Sequence, residues 1–217
     1  MRQSRAVKPM VALAALALLF GCIGAPHRQR PPPRADRVLD TPALRQCLAR
    51  LDLGVARYRL LPDRDFGNGC SAKSAVQLLD IGTPVSSLGA MTCPLASSFA
   101  QWVQSDLQIP AMGEFGSPVV KVETFGSYAC RNVNNAADAR LSEHAFANAV
   151  DVSAFVLKDG TRIAVLGGWR GDERRARFLR AVRDAACRRF RTVLSPDYNA
   201  LHEDHLHFDM GGSQLCR

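Results

Sequence analysis

Four of the five histidines in this chain lie in two short clusters together with carboxylates. His144 comes seven residues before Asp151, and residues 202–207 read His-Glu-Asp-His-Leu-His. The fifth, His27, lies in a Pro/Arg-rich stretch near the N-terminus. Imidazole and carboxylate groups gathered in this way are typical of a transition-metal site. A site with three protein ligands leaves a position for water, so the pattern favours metal-assisted hydrolysis over a structural metal.

The elements around the two clusters can bring them together. Asp151 lies in a predicted strand, and its carboxylate points to the face opposite its valine neighbours. His205 and His207 are two residues apart in a second predicted strand, so they share one face. If the two strands are antiparallel neighbours, these three side chains meet. His144, in the loop before the first strand, can fold back over the start of that strand.

The pattern over the rest of the chain predicts an α+β domain. Helical periodicity covers residues 41–53, 94–107 and 170–190. Strand patterns cover residues 55–61, 75–81, 119–125, 149–157, 162–166 and 205–210. Residues 126–143 are expected to form a loop. Because strands and helices do not alternate strictly, we expect a mainly antiparallel sheet flanked by helices.

The N-terminus is typical of an export signal. Arg2, Arg5 and Lys8 precede an apolar run over residues 10–20, which is too short to span a bilayer comfortably. The run ends in Leu-Phe-Gly-Cys, which resembles a bacterial lipobox. In that pattern the leader is removed before the cysteine, and Cys22 is then acylated. The alternative is an ordinary cleaved signal peptide with an incidental cysteine.

The remaining chain divides into a tether and one domain. Residues 1–21 are the expected signal peptide, residues 22–40 a Pro/Arg-rich extended tether, and residues 41–217 a single domain with one core. The net charge of +8 becomes 8 − 3 = +5 without the three leader cations. This surplus suits an anionic envelope polymer or membrane surface, although basic residues that simply solvate the surface would give the same value. The export signal argues against nucleic acid as a partner.

Six cysteines remain when Cys22 is set aside. An even number in an exported chain predicts three disulfides in an oxidising compartment. Sequence alone leaves many pairings open, and Cys187 with Cys216 is the first expectation, since this bridge would pin the tail after the second histidine cluster. None of the six lies in a CxxC pair, which disfavours a thiolate zinc site. The six are Cys47, Cys70, Cys93, Cys130, Cys187 and Cys216.

Several segments resemble the fingerprint of a group of zinc metallopeptidases. The group includes the penicillin-insensitive murein endopeptidases, the D-Ala-D-Ala dipeptidases and carboxypeptidases, and the hedgehog N-terminal domain. The segments are Gly-Ser-Tyr-Ala-Cys-Arg at 126–131, Ser-Glu-His at 142–144, Ala-Val-Asp at 149–151 and His-Leu-His at 205–207.

A closer resemblance is to the bacterial extensin-like C-terminal domain family, whose name implies no plant-extensin function. It covers most of the chain after Leu51, and the cysteine positions fit it. The segments that carry it are Leu-Ser-Glu-His-Ala at 141–145, Pro-Asp-Tyr-Asn-Ala at 196–200 and Asp-His-Leu-His-Phe-Asp at 204–209.

The resemblance implies a zinc ion held by His144, Asp151 and His207, with water in the fourth position. His205 would then be a general base or would stabilise a tetrahedral oxyanion. Arg131 matches an arginine that would bind a carboxylate or the developing oxyanion.

Other positions complicate the assignment of roles. The dipeptidases have a glutamate three residues before the last metal histidine; here this position is Asp204, which competes with His205 for the role of base. His202 matches a further histidine of the murein endopeptidases and supports catalysis assisted by histidine. A common glycine of the group is replaced by Ala147, with some loss of backbone freedom. Asp209 is expected to support a ligand and not to bind the metal itself.

Two functional hypotheses follow. In the first, the chain is a zinc peptidase, with a fold like that of the hedgehog and D-Ala-D-Ala peptidases, that cleaves peptide cross-links or stems of peptidoglycan. It would be a monomer in the periplasm of a Gram-negative bacterium, anchored through Cys22, with the outer membrane favoured over the inner. The alternative is a non-catalytic lipoprotein that keeps zinc for stability and binds cell-wall peptide or another protein. His205 and Arg131 favour the enzyme.

Overall fold

A computed structural model describes residues 40–54 and 56–217 of the chain. The expected signal peptide, Cys22, His27 and all but the last residue of the expected tether lie outside the described residues. Within the described part, no helix is both long enough and apolar enough to cross a bilayer.

The first helix confirms the prediction from helical periodicity. Helix α1 (Pro42–Leu53) begins at the N-cap Thr41, whose hydroxyl accepts a hydrogen bond from the backbone N–H of Leu44. Proline at its first position is compatible with the helix because that N–H needs no partner inside the helix. Leu44 and Leu51 form part of its buried face.

Short strands follow along the chain, and the structure assembles them into three sheets. The strands are β1 (Arg57–Leu60), β2 (Arg64–Gly67), β3 (Cys70–Ala72), β4 (Ala75–Asp80), β5 (Met91–Thr92), β6 (Val119–Gly126), β7 (Ala149–Leu157), β8 (Arg162–Ala164), β9 (Thr192–Leu194), β10 (Leu206–Asp209) and β11 (Leu215–Cys216). Strands β1, β4 and β5 form one antiparallel sheet, and β2 and β3 form a hairpin. The main sheet has the order β11-β9-β10-β7-β6, with β8 also paired to β7; within this sheet, the pair β11 and β9 is parallel and the other pairs are antiparallel.

The later helices differ in part from the prediction. The predicted helix over 94–107 is observed as α2 (Cys93–Gln101) followed by one π-helical turn (Trp102–Asp106). A further helix, α3 (Gln108–Phe115), was not expected, because it contains Pro110 and Gly113. A short helical turn, α4 (Val165–Gly168), replaces the end of the predicted strand over 162–166. Helix α5 (Glu173–Cys187) lies inside the predicted range 170–190.

The hydrophobic core lies against one face of the main sheet. Trp102 is fully buried there, and its ring meets the rings of Phe155 and Phe208 edge-on. Phe190, which follows α5, stacks on Phe208 with ring centroids 4.8 Å apart. Large aromatic side chains bury much apolar area, so this cluster contributes strongly to stability.

The α+β architecture with mainly antiparallel sheets is confirmed.

Strands β7 and β10 are antiparallel neighbours, as the sequence analysis required. Their register places His207 opposite Asp151 and Leu206 opposite Val152. The expectation that His205 is a strand residue is wrong, because the ladder between β7 and β10 begins at Leu206. His205 therefore lies between the turn at residues 203–204 and the start of the strand.

All six cysteines of the domain form disulfides, and the expected Cys187–Cys216 bridge is confirmed. This bridge ties the end of α5 to β11. A second bridge ties α1 to α2, and a third ties β3 to the loop after β6. The pairs are Cys47–Cys93, Cys70–Cys130 and Cys187–Cys216.

Candidate metal centre

Three predicted ligands meet on the face of the main sheet opposite the core. Asp151 in β7 and His207 in β10 are paired across the two strands. His144 lies in a 3₁₀ turn (Glu143–Phe146) directly before β7 and reaches back over the start of that strand. All three side chains are buried, and each offers one donor atom within 4.8 Å of the other two.

The turn that carries His144 depends on a left-handed residue. Ala147 ends the turn with φ 55° and ψ 29°, and its N–H donates to the carbonyl of His144 at 3.1 Å. At the other end, the Ser142 hydroxyl accepts from the N–H of His144 at 3.4 Å. Glycine adopts the left-handed conformation without strain, whereas a residue with a Cβ rarely does. In this chain, alanine takes the same conformation.

The donor atoms are spaced like the ligands of one ion. His144 Nε2 lies 3.2 Å from His207 Nδ1 and 3.1 Å from Asp151 Oδ2. His207 Nδ1 lies 2.9 Å from Asp151 Oδ1. Tetrahedral zinc, with bonds of about 2.0–2.1 Å, holds its ligand atoms roughly 3.3 Å apart. Two imidazoles and one carboxylate also form a donor set that zinc accepts, so the residues fit the metal.

Asp209 supports His207 from the other side of its ring. The Nε2–H of His207 donates to Asp209 Oδ2 at 3.1 Å, which leaves Nδ1 toward His144 and Asp151. The other oxygen of Asp209 accepts from the N–H of Gly211 at 2.8 Å. A carboxylate behind a ligating histidine fixes its tautomer and ring orientation. This contact agrees with the supporting role predicted for Asp209.

Charges in the cluster shift the pKa values of two ligands in opposite directions. Burial alone would raise the pKa of Asp151, but hydrogen bonds and charges from His144 and His207 hold it well below its usual range. Burial alone would lower the pKa of His207, but hydrogen bonds to Asp151 and Asp209 and their charges raise it to about 9. A metal ion binds a neutral imidazole, so it would have to displace a proton from His207.

His205 and Asp204 form a pair beside the predicted ligands. His205 Nδ1–H donates to Asp204 Oδ1 at 2.7 Å, and His205 Nε2 lies 3.5 Å from Asp151 Oδ1. The ring therefore separates Asp204 from the ligand cluster. In this arrangement Asp204 orients His205, and the second nitrogen of His205 faces the centre.

His202 completes a row of three histidine rings, 5.0 Å from His205 and 6.0 Å from His207 between centroids. Asn199 Oδ1 accepts from the N–H of Leu201, so this atom is the amide oxygen, and His202 Nδ1–H must donate to it at 2.8 Å. Burial, together with the charges of His205 and His207, lowers the pKa of His202 to about 4. His202 is therefore a neutral ring near physiological pH.

Arg131 also reaches the cluster: its Nη2 lies 3.8 Å from Asp151 Oδ2. The side chain is one-third exposed and lines an open cavity of about 370 Å³ beside the centre. His202, His205 and His207 line the same cavity. The structure thus brings together all the predicted site residues except Asp204, which contacts the site only through His205.

Two neighbouring residues escaped the sequence analysis. Asn199, the partner of His202, carries the general signal of a residue that caps a helical turn, three positions before the histidine. Arg140 lines the cavity but lies in a segment that was expected to be an unstructured loop. No periodic pattern marks that segment as structured.

These observations define a disulfide-linked α+β domain with a buried His/Asp cluster that fits a metal ion. A family model described as "Extensin-like protein C-terminus" matches residues 45–217, and the chain belongs to this family. No curated protein and no solved structure matches the chain significantly.

Proposed function

We propose that the chain is a zinc-dependent peptidase that cleaves peptide stems or cross-links of peptidoglycan. The observation that carries the proposal is the buried cluster of His144, Asp151 and His207, which has the spacing of zinc ligands and reaches an open cavity through His207. The resemblance to hedgehog-type and D-Ala-D-Ala peptidases, including their fold, belongs to the same proposal. So do the export signal and the lipid anchor at Cys22, which would place the enzyme in the periplasm.

His144 Nε2, one oxygen of Asp151 and His207 Nδ1 would hold the metal. When bound, zinc supplies Lewis acidity toward a carbonyl oxygen and makes water nucleophilic near neutral pH. The negative Asp151 and the two imidazoles leave a site with a single formal negative charge, suited to a divalent cation. Asp209 keeps the ring of His207 in the orientation that this requires.

His205 is the residue best placed to move a proton. Its Nδ1–H is held by Asp204, so Nε2 is free to accept a proton from a nucleophile and to return it to the leaving amine. The Asp204 carboxylate stabilises the imidazolium that forms in between. This pairing supports His205 as the base, with Asp204 as the residue that orients it.

Arg131 and His202 would act on the substrate in different ways. The guanidinium of Arg131 can stabilise negative charge that develops on the carbonyl oxygen. His202 stays neutral, with Nδ1–H bound to Asn199, so its Nε2 can only accept a hydrogen bond. A substrate N–H or the nucleophile is a suitable donor.

The test is incubation of the zinc-loaded protein with purified peptidoglycan, followed by mass analysis of the released fragments. We expect peptide fragments whose new termini identify the bond that is cut, and release that is slower by about 10²–10⁴-fold with His205→Ala. A zinc-loaded protein that binds peptidoglycan saturably and releases no fragment would decide for the non-catalytic binding lipoprotein.

A further inference from the structure

Part of the cavity wall is a small hairpin that the sequence analysis did not expect. Residues 131–142, here called the arginine hairpin, are joined by two hydrogen bonds and a β-bridge between Asn132 and Leu141. The N–H of Ser142 donates to the carbonyl of Arg131 at 3.0 Å, and the N–H of Val133 donates to that of Arg140 at 2.9 Å.

This pairing fixes which side chains share a face. In an antiparallel pair, residues opposite each other and those two positions along lie on the same side. Arg131, Val133, Arg140 and Ser142 therefore form one face, and all four line the cavity. Leu141, on the other face, lies so close to Gly69 that a Cβ there would be 2.9 Å from Leu141 Cδ1. The hairpin thus rests on its apolar side and presents two arginines to the cavity.

The two arginines are diagonal neighbours across the hairpin, a separation of roughly 7–8 Å that long side chains can bridge. Arg131 lies near Asp151, whereas no carboxylate of residues 40–54 and 56–217 is within ion-pair distance of Arg140. The hairpin is anchored at its base by the Cys70–Cys130 bridge and at its tip by the amide of Asn132, which donates to two backbone carbonyls.

The acidic side chains of the cavity are already occupied. Glu143 accepts a hydrogen bond from the side chain of Asn148 at 2.7 Å. Asp209 accepts from His207 and from the N–H of Gly211. Neither carboxylate lies within ion-pair distance of Arg140, and the side chain of Arg140 is exposed.

We infer that Arg140, on the same face of the hairpin as Arg131, binds a carboxylate of the substrate peptide. The inference rests on the proposed peptidase function and narrows its substrate class to peptides with a free carboxylate near the scissile bond. A guanidinium matches a carboxylate with two parallel hydrogen bonds, so Arg140 would hold the carboxylate while Arg131 faces the reacting carbonyl. The carboxylate can be that of the C-terminus or that of a side chain.

The experiment measures binding, so that it does not depend on hydrolysis. The probe is the tetrapeptide L-Ala-γ-D-Glu-meso-diaminopimelyl-D-Ala in three forms: free acid, C-terminal amide, and amide at the remaining carboxyl groups. Its dissociation constant is measured by calorimetry with the full-length chain as isolated, and again after chelator treatment, so that the peptide stays intact. The variants are Arg140→Gln and Arg140→Lys, with Arg50→Gln on the exposed side of α1 as a control of equal charge.

We expect Arg140→Gln to weaken binding of the free acid roughly ten- to hundred-fold, Arg140→Lys to lose part of that, and Arg50→Gln to leave it unchanged. One of the two amidated peptides should bind the wild-type chain ten- to hundred-fold more weakly than the free acid does. The Arg140→Gln variant should bind that amidated peptide and the free acid with equal affinity. That amide identifies the carboxylate.

Equal affinity of Arg140→Gln and wild type for the free acid would overturn the inference, even if peptidoglycan is cleaved. Failure of the wild-type chain to bind any form would overturn it as well. Binding that depends on Arg140, in a protein that cleaves no peptidoglycan, would support the inference and contradict the proposed peptidase activity.

Discussion

The two faces of strands β7 and β10 are buried to a similar degree, yet they are held by different forces. On the core face, Val150 and Phe208 pack against aromatic side chains and have no polar partner to satisfy. On the other face, Asp151, His207 and Asp209 are buried as a row of charged groups that depend on one another. The alternation of a strand allows both in the same few residues.

Adjacent residues of these strands point to opposite faces, so one residue can serve the stability of the fold while the next serves the candidate site. Truncation of a core side chain leaves a cavity, which lowers the free energy of unfolding. Loss of a side chain from the charged row leaves its neighbours without partners, and it lowers metal affinity as well as stability. Substitutions on the two faces therefore have effects of different kinds, which the following predictions test.

The largest effect is expected at the predicted ligands. His144→Ala, Asp151→Ala and His207→Ala should each abolish tight zinc binding, because each removes one of three donor atoms. Wild type should carry about one zinc per chain after dialysis, measured by atomic emission. Glu203→Gln, which changes an exposed carboxylate in the second cluster, is the control and should retain zinc. Full occupancy in all three alanine variants would contradict the assignment.

The next effect is on turnover alone. His205→Ala should keep its zinc and lose on the order of 10²–10⁴ in turnover of peptidoglycan fragments, the scale of a positioned acid–base group. Asp204→Asn should have a milder effect, because it leaves the ring of His205 in place and removes only the charge behind it. A larger loss for Asp204→Asn than for His205→Ala would transfer the role of base to Asp204.

On the core face, Phe208→Ala should lower the free energy of unfolding by about 3–5 kcal/mol, because its ring is fully buried between Trp102 and Phe190. Urea unfolding followed by circular dichroism measures the change. Phe125→Ala removes a phenylalanine that is 61% exposed and should cost much less. An equal loss of unfolding free energy in the two variants would show that the aromatic cluster does not dominate the stability of the core.

Removal of a disulfide should cost slightly less. The double variant Cys187→Ser with Cys216→Ser should lose roughly 2–5 kcal/mol of unfolding free energy, because the unfolded chain is no longer constrained. In the wild-type protein from the periplasm, alkylation under denaturing conditions should find none of the six domain cysteines free. Several alkylated cysteines would contradict the expected compartment.

The smallest effect is expected at Asp209, which contacts the predicted ligand His207 and is not expected to bind the metal itself. Asp209→Asn should weaken zinc affinity about 10–100-fold in a chelator competition, because it removes the charge that supports His207. Saturating zinc should still fill the site. Complete loss of binding at saturating zinc would show instead that Asp209 is a ligand itself.

The two predicted ligands that strand periodicity placed, Asp151 and His207, lie on regular strands. The apolar alternation around Asp151 gave the bounds of β7, and the spacing of His205 and His207 indicated a strand that pairs with it. Where the ladder begins depends on tertiary contacts, so the sequence could not tell that His205 falls outside the strand. The roles assigned to these residues stay predictions until the experiments are done.

Other parts could not be predicted because their order comes from tertiary contacts. Strands β2, β3 and β9 have only three or four residues, too few to show a period. The arginine hairpin has a single β-bridge, and its sequence does not alternate between polar and apolar residues. Left-handed Ala147 has no sequence signal, since glycine or asparagine would be the usual residue.

The Cys70–Cys130 bridge has a practical consequence for anyone who produces this protein. The predicted metal ligands lie on the main sheet and its adjoining turn, whereas the arginines depend on a hairpin that the bridge anchors. Material in which only this bridge is reduced should therefore take up metal and yet capture peptide poorly. A metal assay alone would pass such a preparation as intact, so each batch also requires a thiol count.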